Sequence, residues 1–260
     1  MDPMTLIGIA LAFAAIFTSA ILEGGNPMAM FFLPPMLLVF GGALGAGLAG
    51  NTLKDAPKFG KAAIKSLAGK AVQPDRSLGT VVQLAEQARR EGLLGLEEAA
   101  AKVDDPFLKE ALELAIDGTD PEDLQDVLMG RIEAKKAADK HGAKFFADLG
   151  AYAPTVGIIG TVLGLVHVLE NLSEPETLGH LIAAAFLATL WGVLSANVLF
   201  LPMAARLKRL SELEVASMEV VLEGVLAIQA GSSPRVVARK LASLLPPGTA
   251  APATGAKKAA

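Results

Sequence analysis

The sequence predicts an all-α integral membrane protein. Four transmembrane helices are expected, with a helical cytoplasmic domain between the second and third and long helices continuing from the third and fourth. Three observations predict this. A helix needs about 20 apolar residues to cross a bilayer core, and four stretches supply them: 4–22, 24–53, 149–169 and 177–205. Apart from His167 and His180 these stretches carry no acidic or basic side chain. All 23 Lys and Arg fall within 54–144 or 206–258. Finally, helix start and stop signals punctuate the rest of the chain, and no strand pattern rises above noise.

The first span, 4–22, lacks the charged leader and small-residue cleavage site of a signal peptide, so it reads as a retained helix. Glu23-Gly24-Gly25-Asn26-Pro27 has turn composition and closes a hairpin with the second span. Pro34-Pro35 is expected to kink that span or delay its regular start, because proline removes a helix donor. The two short connections, 23–27 and 171–179, hold no basic residue. Basic residues are retained on the cytoplasmic side during insertion, which makes 54–148 and the C-terminal segment cytoplasmic, with both termini on that side. The divisions expected are a transmembrane hairpin (1–53), a cytoplasmic helical domain (54–148), the third and fourth spans (149–205), cytoplasmic helices (206–245) and a disordered tail (246–260).

Within the cytoplasmic part, Val81, Leu84, Ala88 and Leu96 give 78–101 a helical pattern. Asp104-Asp105-Pro106 starts a further helix, and Asp117-Gly118 stops it. Thr119-Asp120-Pro121-Glu122 begins a helix that meets no strong breaker except Pro154 before the end of the third span. A single helix of about 70 Å is therefore expected, at 1.5 Å per residue. The fourth span likewise continues to Ala230, before Gly231 and a short last helix after Ser232-Ser233-Pro234.

Candidate chemistry lies in the third and fourth spans. Gly150, Pro154, Gly157, Thr161 and Gly164 share one helix face, as do Ala185, Thr189, Gly192 and Ala196. Small faces let membrane helices approach closely, so they serve packing alone or line a narrow passage. Thr161 and Thr189 sit near the middle of their spans. Their hydroxyls either bond back to their own helix carbonyls or offer oxygen ligands to a dehydrating cation. No Asp or Glu lies inside any span, although an ion relay ordinarily needs one. Any conducting role therefore requires a carboxylate from another chain. His167 and His180 lie near the outer boundary and read as interfacial packing. In the cytoplasm Glu86 and Arg90, four apart, are placed to pair for about 0.2–0.5 kcal/mol. Cysteine is absent, which excludes thiolate chemistry, and no catalytic constellation, metal-ligand spacing or phosphate loop is visible. The chain does not read as an enzyme, and no cofactor is expected.

The run from Ala88 to Glu97 (ARREGLLGLE), Asp104-Asp105-Pro106-Phe107-Leu108, the run from Tyr152 to Leu165 (YAPTVGIIGTVLGL), and Ala185-Phe186 through Pro202 to the basic 206–209 resemble the MotA family of flagellar stator subunits. The resemblance extends to about Leu245. The related TolQ and ExbB energisers of envelope complexes are the alternative; they generally have one span before the cytoplasmic region, and the two-span hairpin favours the MotA side. The resemblance implies a stator subunit in the bacterial inner membrane, forming a five-subunit ring around MotB, whose membrane helix supplies the ion-accepting aspartate. It also implies contact with the rotor protein FliG through Arg89 and Glu97, with Arg90 beside them. Ion-coupling prolines fall on Pro154 and Pro202. Sodium-driven members resemble this chain in having threonine at the positions of Thr161 and Thr189, which implies sodium in preference to protons as the transported cation.

Overall fold

The computed structural model of the chain describes residues 3–245, and the expected disordered tail, 246–260, lies outside the described residues. No strand occurs among the described residues. The chain divides into two compact units, one of residues 1–70 and 139–209, the other of 71–138 and 210–260.

The first unit opens with α1 (Met4–Leu22), whose bounds coincide with the uncharged stretch. The second span starts later than its apolar composition suggests. A 3₁₀ turn, Pro27–Met30, is capped by the Asn26 side chain, and α2 covers only Leu33–Ala49. The cause is Pro34-Pro35, which lack N–H groups and fit only the first turn of a helix, so they delay its start. Next comes α3 (Ala56–Ala68), a lysine-bearing helix that the sequence pattern had not marked. Phe59 on α3 stacks on Phe145 with ring centroids 3.8 Å apart, joining a cluster that includes Val39, Ala43, Leu149, Trp191 and Phe200. The Trp191 indole N–H donates to the Met30 carbonyl at 2.7 Å and fastens the turn before α2.

The second unit has a leucine-rich interior. Here α4 spans Pro74–Glu91, not 78–101 as one helix. Gly92, at φ +78°, ends it in the left-handed region where a side chain would be strained. A 3₁₀ turn (Leu94–Leu96) and α5 (Glu97–Ala101) follow. Leu96 still reaches the core, which is why its spacing mimicked a longer helix. The next helix, α6 (Pro106–Ile116), is capped by Asp105, whose carboxylate accepts from the Phe107 and Leu108 backbone N–H groups. These helices pack with Leu124, Leu128, Val221 and Val225 around one core.

Two long helices contribute to both units. One is α7 (Pro121–Glu170), 50 residues without a break at Pro154. Its start matches the Asp120-Pro121 signal, with the Asp120 carboxylate accepting from the Glu122 N–H. The other begins as α8 (Pro175–Leu194), passes through a π-helical stretch (Ser195–Phe200) and continues as α9 (Leu201–Gln229). A short α10 (Pro234–Ala242) packs on α4. By length and composition α1, α7 and the α8–α9 run can each cross a membrane, while α2 is a shorter apolar helix of 17 residues.

Candidate functional site

The small residues of α7 and α8 bring the two backbones into direct contact. A methyl group on Gly157 would lie 2.8 Å from the Ala188 carbonyl oxygen and 3.2 Å from the Gly192 Cα. One on Gly192 would lie 2.7 Å from the Ala153 oxygen and 3.2 Å from the Pro154 Cα. Neither obstacle can move aside, because both are backbone. Further along, Gly164 faces Ala185 at a comparable distance. The two stripes of small residues therefore face each other, as close membrane packing requires.

Between these contacts lie Thr161 and Thr189, both half-buried. Their hydroxyl oxygens are 2.5 Å apart, and the Thr161 Oγ1 is also 3.0 Å from the Ala185 carbonyl and 3.2 Å from the Gly157 carbonyl. The expected bond back along its own helix is thus present for Thr161, but the hydroxyls also meet one another. The Ala185 carbonyl is the one four residues before Thr189, so Thr161 reaches across to the acceptor that Thr189 would use alone. Two hydroxyls and two carbonyls converge on one small volume, and a hydroxyl has only one proton to donate. That leaves more oxygen lone pairs than donors. Such a set suits a cation or a proton-bearing partner group, and it carries no fixed charge.

No carboxylate is near in sequence on either helix: between Asp148 and Glu170, and between Glu176 and Glu212, the chain has no acid. Among the described residues no group of three or more His, Cys, Asp or Glu is placed to hold a metal. His167 is exposed, 3.4 Å from Glu170, and His180 sits edge-on to Phe32.

The two prolines occupy different local structures. Pro154 stands opposite Gly192, and its missing N–H leaves the Gly150 carbonyl without the usual helical donor. Pro202 follows directly on the π-helical stretch, in which the Leu201 N–H bonds to the Ala196 carbonyl, five residues back. A wider turn there accommodates a ring that would clash with the carbonyl four residues before it. Ser195, fully buried at the start of this stretch, donates to the Gly192 carbonyl at 3.2 Å. Sequence reasoning passed over both Ser195 and the π turn; Pro202 within a helical run was the one available signal.

In the second unit Arg89, Arg90 and Glu97 are all exposed, on the two sides of the turn at Gly92. That turn is braced: the Gln87 amide donates to the Gly95 carbonyl at 2.9 Å and to Glu91 at 3.0 Å. The expected Glu86–Arg90 ion pair is not made. Instead the Arg90 Nε donates to the Glu86 carbonyl oxygen, so its guanidinium charge stays uncompensated by that carboxylate.

Comparison with known proteins matches residues 99–220 to the MotA/TolQ/ExbB proton channel family and residues 6–92 to the motility protein A N-terminal family. Motility protein A of Bacillus subtilis is 37% identical over 249 residues, covering 95% of this chain and 92% of that protein. Among solved structures, the MotAB structure from C. jejuni superposes with a TM-score of 0.91 at 30% identity, covering 95% of this chain and 97% of the matched one. The flagellar MotAB stator complex from Bacillus subtilis gives 0.84 at 36% identity, covering 94% and 96%.

Proposed function

Because the chain belongs to the motility protein A branch of the MotA/TolQ/ExbB family, we propose that it is a flagellar stator subunit, which couples cation flow across the inner membrane to torque on the rotor. The observation that carries this reading is the Thr161–Thr189 hydroxyl pair, set between glycine contacts on two helices whose apolar stretches, 149–169 and 177–205, have no acid of their own. An oxygen-lined, uncharged passage can strip and pass a cation but cannot accept it. The accepting carboxylate then comes from a MotB-like companion, in keeping with the MotAB assemblies of the solved relatives.

In this reading five copies ring the companion's helices, with all four apolar helices in the membrane and both termini in the cytoplasm. A cation leaves water, passes the hydroxyl pair and neutralises the companion's aspartate. That neutralisation removes a buried charge, and the ring steps relative to the companion. Each charge crossing 100 mV releases about 2.3 kcal/mol, so several ions drive one large movement. Pro154 and Pro202 mark where α7 and the α8–α9 run can bend in response. Arg89, Arg90 and Glu97 press on the rotor protein FliG; their exposure supports that role. The oxygen ligands favour sodium over protons.

Vesicles containing this chain together with its MotB-like companion should pass cations, and either protein alone should not. Replacing the companion's membrane aspartate by asparagine should abolish the flux. Flux through this chain unaided would end the proposal. In swimming cells, Arg89→Glu or Glu97→Lys should impair motility with normal membrane insertion, and undisturbed swimming in both would remove the rotor contact.

A further inference from the structure

Most leucines of the second unit are buried, and one stands out from it. The run Leu93-Leu94-Gly95-Leu96 joins α4 to α5. Leu96 is fully buried and Leu93 packs against the same core, but Leu94 is 71% exposed. Among the described residues of this unit no other large apolar side chain is as exposed; the next, Val236, is at 54%. A leucine on the surface is ordinary in itself. This one is set apart by how it is held and by what surrounds it.

The turn that carries it is fixed at both ends. The Gly92 N–H bonds to the Ala88 carbonyl at 2.8 Å, and the Leu96 N–H closes the 3₁₀ turn on the Leu93 carbonyl at 3.0 Å. The Gln87 amide spans the turn to the Gly95 carbonyl, and a methyl group added at Gly95 would run into the Glu91 side chain. Neither Gly92 nor Gly95 has a side chain to cover Leu94. A side chain displayed on such a turn costs little ordering when a partner closes over it. Arg89 and Arg90 precede the turn, Glu97 follows it, and all three are exposed. Among the described residues none of the three makes an ion pair, whereas the neighbouring Glu98 pairs with Lys102 at 3.9 Å.

Exposed charges contribute little to holding two surfaces together and are screened by salt. They act mainly on the speed and orientation of the encounter. Holding is done by desolvated side chains at the centre of a contact, enclosed by a polar rim. Here a centre and a rim occur together, one large apolar side chain between two arginines and a glutamate. We infer that Leu94 is the apolar anchor of the rotor contact. It seats in an apolar pocket on the rotor side whose rim is acidic toward Arg89 and Arg90 and basic toward Glu97. The charged residues bring the surfaces together and set their register; Leu94 sets how long they stay. This rests on the rotor-contact reading above and adds to it an uncharged side chain with a separate kinetic role.

The test is the kinetics of binding between purified FliG, immobilised on a sensor, and the full complex of this chain with its MotB-like companion in lipid nanodiscs, at low and high salt. Leu94→Ser should shorten the residence time about tenfold or more, because the burial of a leucine is lost. Its association rate, and the salt dependence of that rate, should stay native. Leu94→Met, apolar and of similar volume, should restore most of the residence time. The Arg89→Gln, Glu97→Gln double variant should slow association at low salt only, since high salt screens the native charges as well. Unfolding temperatures should match throughout, because all these positions are exposed. A native residence time in Leu94→Ser, beside slowed association in the charge variant, would overturn the anchor and leave the rotor contact standing. Equal losses with serine and methionine would also overturn it, since apolar character would then be irrelevant. No effect of any variant, or no binding by the native complex, would remove the rotor contact and the anchor with it.

Discussion

In the unit of 71–138 and 210–260, the most deeply buried side chains are large: Leu78, Leu96, Leu112, Leu124 and Leu128. In the other unit, where α7 meets α8, the buried residues are Gly157, Ala185, Ala188 and Gly192, while Ile158, Ile159, Val162 and Leu163 are more than half exposed. The first arrangement is what water selects, since burying each large apolar side chain is worth about 1.5–3 kcal/mol. The second is what lipid selects, because leucine gains nothing by leaving hydrocarbon and backbone proximity decides association. One polypeptide thus carries two opposite packing rules, and its two long helices change rule along their length.

The sharpest way to break this contrast is to truncate one leucine from each region. Leu112→Ala should cost about 3 kcal/mol, through lost burial and the cavity left behind. Leu163→Ala, on the exposed face of α7, should cost less than about 0.5 kcal/mol. Thermal unfolding in detergent, followed by circular dichroism, reads both; equal losses would abolish the distinction. Glycine gives the converse test. Gly157→Ala should destabilise by about 2 kcal/mol, since its methyl group would meet the backbone of α8. Gly130→Ala, with nothing within 4 Å, should stabilise the same helix by about 0.5–1 kcal/mol. If both alanines stabilise, the close contact of α7 and α8 is not what holds them. A smaller effect is expected from Asp105→Ala, about 1 kcal/mol from the loss of the α6 cap, confined to the water-packed unit.

The smallest prediction concerns pH. Hydrogen bonds from Lys58 and Thr52 hold the Asp55 carboxyl well below the ordinary aspartate value. A depressed folded-state value means that its contribution is complete above the unfolded-state value and is lost as acid protonates the folded group. The elbow before α3 should therefore loosen only in strong acid. Hydrogen exchange of 52–58 across an acid titration should show this in the native chain and lose it in Asp55→Asn.

Much of this was legible before the structure, for identifiable reasons. The bounds of α1 follow from an uncharged stretch between polar ends, and the start of α7 from an aspartate cap followed by proline. The facing small residues of α7 and α8 follow from their spacing. Other features were not legible. The end of α4 at Gly92 was hidden because the 3₁₀ turn returns Leu96 to the same core that a continued helix would have reached. Helix α3 was passed over because its lysines outweigh a short apolar stripe of Phe59, Ala62 and Ala63. The π turn before Pro202 leaves no mark in composition, since it changes which carbonyl a donor meets and not which residues are present. Above all, side-chain periodicity placed Thr161 and Thr189 at similar depth but could not say that their hydroxyls touch.

The most direct test is the dependence of swimming speed on sodium at constant proton-motive force, with the native chain compared with the Thr161→Ala, Thr189→Ala double variant. The hydroxyl pair as cation ligand predicts that speed rises with sodium in the native chain and that the variant loses this rise while still inserting and assembling. Superimposable sodium curves for the two would contradict it and leave the threonines as packing alone.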